Sequence, residues 1–494
     1  MPSALAGLLV FTTSAAVLVL EILAGRILAP YVGATLQTYT AVIGTVLAGI
    51  ALGTWLGGRL ADRLDPRRLL SPILLLGGAL TFATLPVIAV FGPALAGRDP
   101  VAIVLLATVG FFAPAAVLSA VTPTVIKLVL SDLDETGRVV GQLSALGTAG
   151  AIVGTFATGF VLLAAFPTRP IVLAIGASLL AGGFALGLWL PGGRPGPFTV
   201  GLLALAAAGA LLAPVPCELE SAYFCARVLP DPDRAEGRTL LLDDLRHSYV
   251  DLADPSHLEF AYTVALAAVL DAHAGEAGHV VHLGGGGFTL PRATAAQRPA
   301  TRHTVVEIDP AIVTLAEEQL GLDLAADGLE VVLDDARRAV AEDELEHAEV
   351  VIGDVFASLA VPWHLTTVEF LEDVAARLTP AGVYAVNLID HPPARFARAQ
   401  AATLTAVFDD VVVLAPDRWW AQEAGGNVVL VAGAEIDRAG VEAALRARGL
   451  DWRLRDGDEL AAFLAEGVVL TDDYAPVEQL LGVGDRGRRH TPRR

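Results

Sequence analysis

Seven apolar runs, each near the roughly 20 residues that cross a bilayer as a helix, fill the first 215 residues. They span about 5–23, 39–57, 69–91, 101–129, 139–166, 171–190 and 198–215. A water-soluble core does not call for so many long apolar stretches in succession, so an α-helical membrane domain of about seven spans is predicted over 1–215, with the lipid bilayer as its first partner. The first run has no basic leader, carries Glu21 and Arg26, and is followed by further runs, so it reads as a span and not a cleaved signal. Basic residues set the orientation. Arg59, Arg63, Arg67 and Arg68 follow the second run, Lys127 and Arg138 edge the loop after the fourth, and Arg194 follows the sixth. The opposite side has only Arg26, Arg98 and Arg169. This predicts a cytoplasmic amino terminus; seven spans then place the remainder of the chain outside the cytoplasm, and a re-entrant or miscounted run places it inside. Gly49, Gly53 and Gly57, like Gly150 and Gly154, are spaced four apart, the pattern that lets helices pack closely.

The charge of the chain is divided as sharply as its hydropathy. Up to Val215 there are ten Lys+Arg and seven Asp+Glu, and beyond it 23 and 47. The second half is therefore an acidic soluble region, which disfavours nucleic acid as a partner and favours small cations, including a small cationic amine. Cys217 and Cys225, the only cysteines, lie too far from any His pair for a zinc site, and no metal is expected. A disulfide and two separate thiols are both open. The domain reading is 1–215 membrane, 216–275 linker and small β segment, 276–480 α/β domain, and 481–494 disordered basic tail.

Within the acidic half, residues 220–228, 238–243 and 245–252 alternate like strands, and a helix follows at 258–270. Then comes His279-Val-Val-His-Leu-Gly-Gly-Gly-Gly287: an apolar strand meeting four glycines, followed by a helix-length segment and a second strand ending in Glu307 and Asp309. Glycines let backbone approach a ligand at the carboxyl end of a strand, and an acid about 20 residues later stands where ribose hydroxyls are held. Alternating strands and helices continue to about 414, with a last strand at 428–431. The pattern predicts a doubly wound, mainly parallel sheet with an antiparallel pair at its edge. Its ligand edge would carry Gly284–Gly287, Glu307, Asp309, Asp334, Asp335 and Asp354. Asp335 can also cap the helix that starts at Ala336, and Asp354 can cap a turn.

The acidic half resembles the spermidine-synthase family of aminopropyltransferases, which share the Rossmann-like methyltransferase fold. The whole chain resembles the fused proteins in which a multi-span segment precedes that domain. The resemblance rests on Leu241–Leu252, Gly284–Gly287, Val306-Glu-Ile-Asp309, Leu333-Asp-Asp-Ala336, Ile352-Gly-Asp354 and Leu470–Glu478. It implies that Glu307 holds the ribose hydroxyls and that Asp335 with Ala336 contacts the adenine. It implies that Gly284, Gly285 and Gly286 pack against the rest of the donor and that Asp309 belongs to the same donor site. His247 and Tyr262 fall on the substrate side, and Asp354 takes the proton of the attacking amine. The donor so implied is decarboxylated S-adenosylmethionine, or S-adenosylmethionine if the reaction is methyl transfer. Three positions depart from the family: Gly287 and Ala357 stand where it usually carries aspartates, and His247 where it carries glutamine. A transporter or sensor that binds a nucleoside or polyamine without chemistry is the reading from another class, and a homodimer is left open.

Overall fold

In a computed structural model of the chain, residues 1–97, 99–130, 133–190, 196–276, 278–342 and 345–481 are described. Arg98, Arg194 and, of the expected basic tail at 481–494, residues 482–494 lie outside the described residues. The chain divides into two compact units, Met1–Arg227 with Leu242–Asp244, and Val228–Leu241 with Leu245–Arg494.

The first unit is helical: α1 (Ser3–Val32), α2 (Leu36–Arg63), α3 (Pro66–Phe91), α4 (Pro100–Val129), α5 (Thr136–Ala165) and α6 (Thr168–Trp189). These six are long and apolar enough to cross a membrane. The seventh expected run folds as α7 (Pro197–Leu212), whose 16 residues rise about 24 Å, short of a ~30 Å hydrocarbon layer. Side chains such as Trp55, Phe156, Phe160, Leu188, Phe198 and Leu205 stand exposed on these helices. Apolar surface of that extent needs a non-aqueous covering. The glycine stripes make close crossings. A Cβ on Gly49 would lie 2.8 Å from the Phe112 carbonyl of α4, and one on Gly154 would lie 2.7 Å from the Ala15 carbonyl of α1.

Arg26 does not turn to Glu21; its guanidinium donates to the carbonyls of Ser221, Ala222 and Tyr223. Arg169 likewise donates to the carbonyls of Ala210, Leu211 and Ala213, satisfying the open end of α7. Cys217 and Cys225 form a disulfide across a Cα separation of 5.1 Å. The strand expected over 220–228 is instead two strands, β1 (Leu219–Glu220) and β2 (Cys225–Pro230), paired antiparallel. The turn between them is set by Ser221, whose hydroxyl accepts from the N–H groups of Tyr223 and Phe224. With β3 (Gly237–Leu242) and β4 (Leu245–Asp251) they form a four-stranded sheet in chain order.

The rest of the chain builds a three-layer α/β domain. Its elements in order are α8 (Ala261–His273), β5 (His279–Leu283), α9 (Thr289–Gln297), β6 (Arg302–Glu307), α10 (Pro310–Gln319), α11 (Leu324–Asp327), β7 (Leu329–Leu333), α12 (Ala336–Ala341), β8 (Ala348–Gly353), α13 (Val368–Arg377), β9 (Leu378–Asp390), α14 (Arg395–Val407), β10 (Asp410–Ala415), α15 (Asp417–Trp420), β11 (Gly426–Gly433), α16 (Arg438–Ala447) and β12 (Arg453–Arg455). The sheet order is β12-β10-β11-β9-β8-β5-β6-β7. Strands β7, β6, β5, β8 and β9 are parallel, and β11 enters antiparallel between β9 and β10. The strands are apolar on both faces because each face is covered. Val281, Val351 and Tyr384 pack into one core, while Val280, Val350 and Val383 pack into the other. The expected antiparallel edge pair is present, extended by β12. Parallel strands aim their carboxyl ends the same way, so the tips of β5, β6, β7 and β8 fall on one edge, where α/β sheets bind ligands.

Candidate active site

The glycine turn leaves β5 with Gly284 at φ +93° and Gly286 at φ +50°. The turn cannot be rebuilt with larger residues. A Cβ on Gly286 would meet His247 Cε1 at 2.8 Å, and one on Gly284 would collide with the Asp354 carbonyl. Glu307, at the tip of β6, holds the turn. Its Oε2 accepts from the N–H groups of Gly285 (2.8 Å) and Gly286 (3.2 Å), and its Oε1 accepts from Asp309 N–H (2.9 Å). Burial nonetheless raises its pKa above the usual carboxylate range, with the three N–H donors opposing the shift.

Asp309 is buried and caps α10 by accepting from Ala311 N–H at 3.0 Å. Asp335 caps α12, its Oδ1 accepting from Arg337 N–H and Arg338 N–H, while its Oδ2 lies 3.4 Å from His364 Nε2. Ala336 opens that helix and is buried. The loop carrying His364 is pinned by Arg337, which donates to the His364 carbonyl and to both oxygens of Asp472. That is the work of the motif at 470–478: Asp472 also accepts from the Thr367 hydroxyl. Trp363 is half exposed beside this loop, whereas Trp419 is buried.

Asp354, just past β8, is the best-placed reactive group. Burial raises its pKa to about 6, while hydrogen bonds from Asn387 and Tyr262 pull the other way. Asn387 Nδ2 donates to Asp354 Oδ1 at 2.9 Å, and Asn427 Nδ2 donates to Asn387 Oδ1 at 3.0 Å. The Tyr262 hydroxyl proton is held well above its ordinary range by its own burial and then by this carboxylate. His247 packs under the turn with Nδ1 3.1 Å from the Ser248 hydroxyl, and burial depresses its pKa to about 4, so its ring is neutral near pH 7.

Two cavities meet at this carboxylate. The smaller is lined by Gly284, Gly285, Gly286, His247, Tyr262 and Asp354. The larger, about 390 Å³, shares His247, Phe260, Tyr262 and Asp354 with it and continues toward β9, β11 and α15. The structure therefore gathers Gly284–Gly286, His247, Tyr262 and Asp354. Glu307 supports the turn, Asp309 caps the following helix, and Asp335 with Ala336 lies further along the edge. Two positions where the resembled family carries acids offer none here. Gly287 N–H donates to the Ser248 hydroxyl, and a Cβ on Gly287 would lie 2.7 Å from Ser248 Cβ, so serine fills that space. Asn387 and Asn427 were not anticipated. The available signal was a polar residue inside the apolar run Val383–Leu388.

No protein-family profile matches the chain. A probable polyamine aminopropyl transferase of Bifidobacterium longum is 27% identical over 286 residues, covering 53% of this chain and 61% of that protein. The polyamine aminopropyltransferase of Chromobacterium violaceum is 28% identical over 140 residues, covering 28% of this chain and 53% of its own length. The chain thus spans little more than half the length of the curated relatives it matches. Among solved structures, a probable spermidine synthase from Corynebacterium glutamicum is 27% identical with a TM-score of 0.47, covering 52% of this chain and 95% of that one. Over about half its length, then, the chain is similar to polyamine aminopropyltransferases.

Proposed function

We propose that the protein is a membrane-anchored aminopropyltransferase that uses decarboxylated S-adenosylmethionine, with Asp354 as the base. One observation carries the reading. A buried carboxyl with a pKa of about 6 stands where the glycine-lined cleft meets a larger cavity, oriented by Asn387 and Tyr262. In the transfer, the amine nitrogen bonds to the carbon next to the sulfonium. The carbon–sulfur bond breaks, its electron pair stays on sulfur, and methylthioadenosine leaves. The proton released by the nitrogen passes to Asp354, which is ionised at neutral pH and therefore able to accept it. Its poorly solvated setting strengthens the attraction for a nitrogen becoming cationic. The backbone of Gly284–Gly286 approaches the donor, Glu307 keeps that backbone in place, and Asp335 with Ala336 takes the adenine edge. Most of the remaining acceleration is alignment of two reactants.

The membrane unit favours a second reading. Arg59, Arg63, Arg67 and Arg68 are exposed at one end of the bundle, while Arg26 and Arg169, at the other, are occupied with carbonyls. That asymmetry and the Cys217–Cys225 disulfide suit an extracytoplasmic position for the segment after α7. Sulfonium donors are cytoplasmic metabolites, so on that side the domain would bind a nucleoside or polyamine as a sensor or as part of a transporter. Methyl transfer from S-adenosylmethionine is the remaining enzymatic alternative. Full-length protein in detergent should gain melting temperature with decarboxylated S-adenosylmethionine and release methylthioadenosine when an amine is added. Binding by neither donor nor either thioether product would remove the enzymatic readings. A reporter fused after Arg494 decides the side of the membrane.

A further inference from the structure

The cavity of about 390 Å³ beside Asp354 is of a size that takes a small molecule. Four charged side chains line it: Arg246, Glu259, Asp354 and Arg418. In this half of the chain acids outnumber bases two to one, and several arginines are paired with carboxylates. Arg337 pairs with Asp472, Arg438 with Asp410, Arg448 with Asp271, and Arg292 with Asp327. Among the described residues, Arg246 and Arg418 have no ion-pair partner. Arg246 is exposed and lies 5.3 Å over the Phe260 ring. Arg418 is exposed on α15, beside the aromatic wall made by Trp419 and Trp452. Of the two acids, Glu259 lies 3.2 Å from His257 Nε2. Glu259 is exposed at the rim, whereas Asp354 is buried where the two cavities meet, so Asp354 is the carboxylate placed for the reacting amine and the two guanidinium groups are placed for a negative group.

We infer that the acceptor is a primary amine bearing an anionic group at its far end, a carboxylate or a phosphate, and not a diamine. The inference rests on the aminopropyl-transfer reading above. Arg246 and Arg418 hold the anion through charge-assisted hydrogen bonds, whose forked geometry suits an oxyanion. The amine is thereby directed to Asp354, which accepts its proton as nitrogen bonds to the donor carbon and the carbon–sulfur electrons pass to sulfur. A diamine would bring its second ammonium toward two guanidinium groups, and a desolvated charge without an opposite partner is costly.

The test offers full-length protein in detergent, with decarboxylated S-adenosylmethionine, equal concentrations of γ-aminobutyrate, aminopropyl phosphate or putrescine. Release of methylthioadenosine is followed. One of the anionic amines should be used with a kcat/KM roughly tenfold or more above that of putrescine, and the two anionic arms distinguish carboxylate from phosphate. Arg246→Ala and Arg418→Ala should each raise KM for that acceptor by roughly tenfold, leaving kcat and the donor-induced melting shift nearly unchanged. Arg→Lys at either position should recover part of the loss. Equal or better use of putrescine, no use of either anionic amine while the donor binds, or an unchanged KM in both alanine variants overturns the inference alone. Failure of the donor to bind removes the transfer reading and this inference with it.

Discussion

The two sides of the candidate site are built in different ways. On the proposed donor side, acids are tied to backbone: Glu307 accepts three main-chain N–H groups, and Asp309 and Asp335 cap helices. On the acceptor side, side chains from β4, α15, β9 and β11 surround an open volume of about 390 Å³, and two of their charges are unpaired among the described residues. A surface fixed by backbone cannot be altered without disturbing the fold, whereas a surface made of side-chain tips can. The glycine-turn side is therefore the part of the site that resists substitution, and the cavity side is the part that tolerates it; in the proposed reaction these are the donor and acceptor sides. Asp354 belongs to both.

The largest effect expected is at that shared residue. Asp354→Asn keeps the shape and the hydrogen-bond reach but removes the proton acceptor. It should lower kcat by roughly 10²–10⁴-fold and leave the donor-induced melting shift intact. Unchanged turnover would end the assignment of Asp354 as base. Glu307→Ala should act first on stability and donor affinity, because three N–H groups lose their acceptor. A cost of about 1–3 kcal/mol in denaturant unfolding of the soluble unit is expected, with weaker donor binding. Glu307→Gln, which keeps one carbonyl oxygen, should lose less. If Glu307→Ala left unfolding unchanged while abolishing donor binding, the carboxylate would be a ligand and not a brace. Gly286→Ala sits below these. Its φ of +50° and the 2.8 Å approach of an added Cβ to His247 predict a cost of about 1–2 kcal/mol and a weaker donor complex by calorimetry.

The same division decided what could be read from the sequence. The donor side was legible because its pieces are local: a strand running into glycines, then acids at strand ends a fixed distance apart. The Asp335 cap was also local, since it precedes a helix start, whereas the equally local cap at Asp309 was not anticipated. On the acceptor side only His247, Tyr262 and Asp354 were reached, through the family resemblance, because Arg246, Asn387, Arg418 and Asn427 are brought together only by the sheet order. β11 enters between β9 and β10, and no short-range pattern announces that insertion. The missed hairpin at β1 and β2 has a similar cause. Alternation over 220–228 looks continuous, and the reversal depends on one serine hydroxyl and a disulfide. The seventh apolar run was visible as hydropathy, but its helix stops at Leu212, ahead of Pro214 and Pro216, which cannot supply helical N–H donors. α16 escaped notice because only Val441 and Leu445 of its ten residues are buried.

The smallest effect expected is the one that best separates orientation from chemistry, at Asn387. Its Nδ2 donates to Asp354 Oδ1, which favours the ionised carboxylate, and its own Oδ1 is held by Asn427. Burial has already raised Asp354 from the ordinary 3.8 to about 6. For an acid whose folded pKa is raised, the folded state holds a proton that the unfolded chain has released. Stability therefore falls as pH rises from about 4 to about 6, by roughly 3 kcal/mol at most. Activity runs the opposite way, rising with pH through about 6 as Asp354 becomes able to accept a proton. Asn387→Ala removes a stabilising donor from the ionised form, so the acid limb of the kcat/KM profile should move to higher pH while the high-pH plateau changes little. Asn427→Ala, acting one bond further away, should move it in the same direction by less. A limb that stays near pH 6 in both variants would mean that burial alone sets the proton affinity of Asp354 and that the asparagine pair only supports the cavity wall.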